Sequence, residues 1–219
     1  MKHLILLGLL VLTFATSHAQ DINWRALNNT PAHLVALQLG ADYGTYYGIT
    51  YGYAFQKGAL PLAVGADFSL PFGDQLADDW KLNLNVQAEL WHSNAWSLTV
   101  KPELTLRRYA SDIATVFNVG AGATAVFGLV KPRWGIVGEA NYNAALASNI
   151  RHDRLKEYYP DIRDGWYGNT GGNFQFGLRA QYTIHTWSAF LKLGKTYAQD
   201  FKDNPTLPFY FNLAVQKRF

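Results

Sequence analysis

The feature that most constrains the fold of this chain is a strict alternation of apolar and polar side chains, clearest in residues 80–92. Successive side chains of a β-strand point to opposite faces, so such a stretch has one apolar and one polar face. The apolar face carries Trp80, Leu82, Leu84, Val86, Ala88 and Leu90, and the polar face carries Lys81, Asn83, Asn85, Gln87 and Glu89. The pattern fits a soluble β-sandwich or lipocalin-like barrel with the apolar face inward, or a membrane barrel with that face outward.

The same alternation recurs from residue 33 to the end and predicts ten strands, or eight if the first two are misassigned. Tight turns are expected at 57–58, 93–94, 131–132 and 185–186, and the long connections 71–79, 150–172 and 199–206 all fall at the opposite end. Short turns at one end and long loops at the other are typical of up-and-down bacterial barrels. The predicted strands are 33–42, 46–56, 59–70, 80–92, 95–109, 113–129, 133–149, 173–185, 187–198 and 207–219.

Composition favours the membrane barrel over the soluble sandwich. Hydrophobic residues make up 49% of the chain and charged residues only 16%, against about 25% in soluble domains. Tryptophans lie beside the short turns, as in the aromatic belts of membrane barrels. The aromatic residues near the other strand ends are Trp80, Tyr46, Tyr47, Tyr109 and Tyr197. The net charge of +3 is too small to indicate nucleic-acid binding. Absence of cysteine excludes disulfides and thiolate metal sites, and no cofactor is expected.

The N-terminal residues predict export. Residues 1–19 combine a basic start, an apolar run from Leu4 to Phe14 and a small-residue cleavage site ending at Ala19, which together indicate a signal peptide. The run is too short to span a bilayer as a helix. We therefore expect a signal peptide at 1–19, a periplasmic N-terminal segment at 20–32 and an outer-membrane barrel at 33–219.

The signal peptide, the alternating strands and the C-terminal Phe219 resemble the small outer-membrane β-barrel proteins of Gram-negative bacteria. The resemblance is architectural and covers nearly the whole mature chain. It implies an all-β, antiparallel, up-and-down transmembrane barrel, with Phe219 as part of the signal recognised by the barrel-assembly machinery. It also implies outer-membrane lipid and lipopolysaccharide as surroundings.

The alternation assigns a charged network to the lumen. Such charges must pair or form hydrogen bonds, because burying them alone is costly. We favour a structural network that fills the barrel, since barrels of about eight strands are filled by side chains; a narrow channel for small solutes is the alternative. The predicted members are Asp67, Lys81, Glu89, Lys101, Glu103, Arg107, Glu139, Arg179, Lys192 and Arg218.

Three patterns raise enzymatic alternatives. Asp78 and Asp79, with His152 and Asp153, resemble the acidic pair and the Asp/His pair of the omptin proteases, although here each pair is adjacent rather than alternating. The sequence 92–94 resembles the His-x-Ser arrangement of lipid A deacylases, but a nucleophile needs a base and an orienting acid within reach. The six histidines lack metal-ligand spacing. We therefore expect no catalytic residues and no metal site.

The longest predicted outer loop, 150–172, is the candidate binding surface. It mixes arginine with tyrosine and tryptophan, a composition enriched in binding hot spots, and its arginines suit lipopolysaccharide phosphates. Its candidate residues are Arg151, Arg154, Tyr158, Tyr159, Arg163, Trp166 and Tyr167. The sequence thus predicts a non-enzymatic barrel that anchors surface loops for binding an unidentified partner or supports the envelope, with a surface hydrolase as a further alternative.

Overall fold

The computed structural model describes residues 21–28, 30–42, 44–72, 78–152, 154–200 and 208–219; the predicted signal peptide lies outside these ranges. Two short helices and ten strands form the described chain. The helices are α1 (Trp24–Leu27) and α2 (Leu155–Tyr158). The strands are β1 (Ala32–Ala41), β2 (Thr45–Lys57), β3 (Leu60–Pro71), β4 (Trp80–Ser93), β5 (Trp96–Ala110), β6 (Thr115–Val130), β7 (Trp134–Arg151), β8 (Gly165–Ile184), β9 (Trp187–Ala198) and β10 (Phe209–Arg218).

Each strand pairs with its sequence neighbour, and β1 pairs with β10 to close the barrel. All the pairings are antiparallel. At the seam, backbone hydrogen bonds join His33 and Phe219 in both directions, at 3.2 and 2.9 Å. Closure removes the unpaired edges that hydrocarbon could not solvate. The prediction of ten antiparallel up-and-down strands is confirmed.

The barrel is apolar outside and polar inside. Along β4, Leu84 and Val86 are 42% and 45% exposed, whereas Asn85 between them is buried. The other strands have the same arrangement, with apolar side chains outside and polar ones inside. Their outward side chains include Leu39, Ile49, Val64, Leu104, Ile136, Leu178, Leu193 and Leu213. A water-soluble barrel would have the reverse arrangement, so the fold is that of a transmembrane barrel. Among the described residues, no helix has the length and apolar character needed to cross a membrane.

Aromatic and basic side chains mark the short-turn end of the outer surface. Lys217 alone among the outward positions of the last strand is charged, and its Nζ lies 5.4 Å from the ring centre of Trp187 and 4.7 Å from that of Phe219. Lys131 has the same relation to Trp134, at 5.0 Å. Such cation–π pairs suit the membrane interface, where the aliphatic stem lies in hydrocarbon and the ammonium reaches water.

The β7–β8 hairpin is longer than the sequence predicts. We expected β8 to begin at 173 after an irregular connection of 150–172, but β8 begins at Gly165, which pairs with Ile150 of β7. The stretch 165–172 contains four glycines, which weaken a strand locally. Pairing with β7 outweighs the low strand preference of these glycines. Only residues 152–164 connect the two strands, and they include α2.

Two glycines create space for a large side chain inside the barrel. Gly177 and Gly194 are direct partners on β8 and β9, and the ring of Tyr210 on β10 lies against both. A β-carbon built on Gly194 would contact the Tyr210 ring and lie 2.5 Å from the carbonyl oxygen of Phe176. No ordinary side chain fits there, so the β8–β10 wall depends on these glycines.

We therefore expect Gly194→Ala to destabilise the folded barrel by about 1–3 kcal/mol, the usual cost of overpacking. Gly138→Ala is the matched control, because its β-carbon would lie 3.8 Å from the nearest atom, the Phe127 carbonyl oxygen, in ordinary contact. Urea unfolding of the two variants in lipid vesicles, followed by heat-modifiable gel mobility, measures the difference. Equal midpoints for the two variants would contradict the packing described for Tyr210.

Candidate functional site

The N-terminal segment Asp21–Asn28, termed the plug here, lies inside the barrel at the short-turn end. Its side chains bond to opposite parts of the wall. Trp24 Nε1 donates to Thr99 Oγ1 at 2.9 Å, and Asn23 Nδ2 donates to Thr183 Oγ1 at 3.1 Å. We expected residues 20–32 to precede the barrel as a periplasmic segment, whereas residues 21–28 lie inside the lumen.

The local structure of the plug follows from its sequence. Asn23 caps α1, its side-chain oxygen accepting from the Ala26 backbone N–H at 3.2 Å, which satisfies a donor that a helix start leaves free. Asn28 ends the helix in the left-handed conformation at φ 50°, which asparagine tolerates better than most residues. The apolar side of the plug packs on small inward residues of β1–β3, and this cluster contains Ile22, Trp24, Leu27, Ala32, Leu34, Ala54 and Ala63.

Four buried charges connect the plug to the wall. Lys192 Nζ lies 2.8 Å from Asp21 Oδ2 and 3.6 Å from Glu139 Oε2. Arg179 Nη1 lies 3.1 Å from Glu139 Oε1 and also pairs with Asp21 Oδ1. Two cations thus meet two carboxylates, an arrangement in which burial is tolerated because each charge has partners. We call Asp21, Glu139, Arg179 and Lys192 the charge quartet.

All ten side chains that the sequence assigned to the lumen lie on the inward face, but they form separate groups. Glu89 binds the plug residue Arg25 at 2.6 Å, and Arg218 donates to the Ala26 carbonyl. Other contacts of these ten side chains join them to residues of the wall strands or of the strand ends. They are Lys81 to Asp42 at 3.8 Å, Asn141 to Glu103 at 3.0 Å, Asn85 to Asp67 at 3.4 Å, Arg107 to Asp79 at 3.1 Å, and Thr50 to Asp67. Lys101 is buried among them.

One aromatic residue differs from its expected position. Tyr46 was expected near the outer strand ends, with the aromatic residues of that belt, but it is 2% exposed and points into the lumen. Its hydroxyl accepts from Asn212 Nδ2 at 2.8 Å. The ring also occupies the space beside Gly40, where a β-carbon would meet it. Tyr46 therefore helps to fill the loop end of the barrel.

At the loop end, Asp164 fastens the β7–β8 connection. Its carboxylate accepts from the His152 backbone N–H at 2.9 Å and lies 3.2 Å from His152 Nδ1, while Oδ2 binds Lys156 Nζ. The Lys156 ammonium, together with the His152 backbone N–H, holds the pKa of Asp164 well below its usual range. The connection is thus an ordered loop rather than an irregular one.

This loop presents aromatic side chains to the outside. Tyr158 is 75% exposed, Trp166 is 61% exposed, and Tyr159 and Tyr167 are also exposed. Arg151, Arg154 and Arg163 lie at the exposed surface of the same hairpin. The seven residues expected to form a binding surface therefore share one hairpin, although its binding role stays a prediction.

In the described residues, the charged side chains of the enzyme-like patterns have identified partners. Asp79 pairs with Arg107 and Asp78 with Arg108, at 3.1 and 3.4 Å. His152 binds Asp164, and its predicted neighbour Asp153 lies outside the described residues. The side chain of His92 is 54% exposed and lies 3.5 Å from Glu89. It is at the short-turn end of the barrel, opposite the loop end. Within the described ranges no cluster of three or more acidic or histidine side chains is placed to hold a metal ion.

Comparisons with known proteins add the following. No protein-family model matches the chain, and no curated protein matches its sequence. Similar solved structures include Neisserial surface protein A, with 9% identity, a TM-score of 0.36 and coverage of 86% of this chain and 96% of that one. They also include the KdgM porin, with 9% identity, a TM-score of 0.39 and coverage of 85% and 99%.

Proposed function

We propose that this chain is a non-enzymatic barrel of the bacterial outer membrane that presents the β7–β8 loop as a binding surface. The observation that supports the proposal is the ordered conformation of this loop. Asp164 joins His152 and Lys156, while Tyr158 and Trp166 stay exposed. A loop ordered before binding loses less conformational entropy when a ligand arrives. Export by a signal peptide cleaved near Ala19 belongs to the same proposal.

The ligand chemistry that fits this loop is an anionic headgroup, with the phosphates of lipopolysaccharide as the candidate. Arginine forms paired, charge-assisted hydrogen bonds with phosphate oxygens, and three arginines accompany exposed aromatic side chains on the hairpin. Asp164, an acidic residue of the same hairpin, is held by Lys156 and His152. Pairing of Asp78 and Asp79 with arginine supports the non-enzymatic assignment.

The test replaces residues 154–163 with a short Gly/Ser linker and measures binding of purified lipopolysaccharide to the refolded barrel. We expect the half-saturating concentration to rise by about tenfold or more, since each lost charge-assisted hydrogen bond is worth roughly 1.5–3 kcal/mol. Heat-modifiable mobility should persist, because the strand ladder maintains the fold. A matched control replaces Lys57 and Gly58 at the opposite end. Unchanged binding after loop replacement would refute the proposal.

A narrow channel for small solutes is the second candidate, favoured by the polar lining of the lumen. With the plug inside the lumen, we expect the short-turn end of this channel to be obstructed. Planar-bilayer recordings should therefore show little conductance for the mature chain and distinct conductance steps after deletion of residues 21–27. Trp24→Ala combined with Arg25→Ala, which removes the contacts to Thr99 and Glu89, should give an intermediate result. Equal conductance in all three proteins would show that the plug does not obstruct the lumen.

A further inference from the structure

Two cations face each other directly on the barrel wall. Arg179 on β8 and Lys192 on β9 are cross-strand partners, and both side chains are buried in the lumen, at 5% and 2% exposure. Like charges in opposed positions of an antiparallel pair destabilise a sheet. Their burial is therefore explained only if an anion lies between them.

The wall supplies one anion and the plug supplies the other. Glu139 approaches both cations, at 3.1 and 3.6 Å, and Lys101, also buried, lies close enough to interact with Lys192 and Asp21. Within the charge quartet, the wall residues carry two positive charges and one negative charge. The remaining positive charge is matched by Asp21, whose two carboxylate oxygens are divided between Arg179 and Lys192. A carboxylate bridging two cations in this way has the geometry of a bound ligand.

A cleft at the short-turn end lies on the side from which a small anion would approach this place once the plug is displaced. A cleft of about 380 Å³ lies beside the plug, lined among others by Arg25, Arg133, Thr183 and His185. Thr183 is on the same inward face of β8 as Arg179, four residues nearer the turn, which is about 13 Å along a strand. Basic side chains at the entrance attract small anions by their electric field.

We propose that Arg179 and Lys192 form a carboxylate-binding site in the barrel wall, which Asp21 occupies in the closed barrel and which small monocarboxylates occupy in its absence. Glu139 orients the two cations and limits the site to a single negative charge. The plug is then held by a side chain that acts as a ligand within its own chain. The inference is independent of the binding role proposed for the β7–β8 loop.

The experiment is a rescue of Asp21→Ala by formate and acetate. The mature chain and the variant are refolded in detergent, and the thermal midpoint of unfolding is followed by heat-modifiable mobility in sodium formate, sodium acetate or sodium chloride at equal ionic strength. We expect a lower midpoint for the variant in chloride and a saturable increase in formate or acetate. The unsubstituted protein should show no such difference between salts, because Asp21 already fills the site.

The control carries a second change, Lys192→Met, in the Asp21→Ala background, which removes one of the two cations and should abolish the rescue. If Asp21→Ala does not fold, Asp21→Ser, whose shorter polar side chain leaves the carboxylate position open, is measured in its place. Equal effects of formate and chloride on the variant would overturn the proposal. Rescue that persists after Lys192→Met would overturn it as well.

Discussion

A barrel with Leu84 replaced by arginine should lose most of its ability to insert into lipid vesicles. Leu84 is 42% exposed on the outer surface and lies opposite Ala66 and Leu104 on the adjoining strands. A cation on the lipid face costs about 2–4 kcal/mol near the bilayer midplane, a large part of a total stability of roughly 5–15 kcal/mol. The folded fraction is measured from heat-modifiable mobility after dilution from urea into vesicles of outer-membrane lipid.

Two variants serve as controls for this result. Leu84→Ala shortens the side chain without adding charge and should insert with little loss. Asn85→Arg places the same cation one residue further on, in the lumen, where Asp67 and Glu103 are neighbours across the strands. Asn85→Arg should reduce insertion less than Leu84→Arg does if the lumen accommodates the longer side chain. Equal or reversed effects of the two arginines would mean that the inward and outward faces have been exchanged.

The sequence predicts most of the wall because a two-residue period leaves little freedom of interpretation. The described bounds of β1–β7, β9 and β10 lie within about two residues of the predicted ones. Bulges are the exception. At Leu90 the pairing of β4 with β5 shifts, so that Leu90 and Trp91 both face outward, at 55% and 47% exposure. Strict alternation cannot indicate such an extra residue, which depends on the partner strand.

The plug could not be predicted from local sequence, because its contacts are remote along the chain. Asn23 and Thr183, for example, are 160 residues apart. Two indirect signals were present. The predicted lumen network contains six basic and four acidic residues, an excess of cations that further acidic residues had to offset. The inward faces of β1–β3 also carry Ala32, Ala54 and Ala63 where a polar lumen would not require them.

The sequence predicted the surface loop at 150–172, but the connection between β7 and β8 is shorter, at 152–164, and its ordered conformation was not predicted. Composition placed arginine and aromatic residues in one connection, which the structure also shows. The hydrogen bonds of Asp164 with His152 and Lys156 fix its conformation, and such contacts within a loop have no periodic pattern to reveal them. The glycines of residues 165–172 indicated a loop where β8 in fact continues, because pairing with β7 outweighs local preference.

Removing one cation of the charge quartet should destabilise the barrel strongly. Lys192→Met leaves Asp21 and Glu139 buried with Arg179 as their only partner in the quartet. Breaking a buried ion pair by removal of one member costs about 3–5 kcal/mol, because a charge remains without compensation. We expect a loss of this size in urea unfolding from vesicles. Plug contacts should weaken at the same time, seen as quicker trypsin cleavage after Arg25.

We expect Lys192→Met to destabilise the barrel because it unbalances the buried charges, and not because one side chain is lost. A double variant tests this explanation. Lys192→Met with Asp21→Asn removes one cation and one anion and leaves Arg179 paired with Glu139 at 3.1 Å. The double variant should lose less stability than the sum of the two single changes, by the coupling expected of residues in one network. Lys195→Met, on the outer face of the same strand, removes cation–π contacts with Tyr197 and Phe209, and exposed contacts of this kind are worth roughly 0.5–1 kcal/mol each. Additive losses in the double variant would show that the four charges act independently.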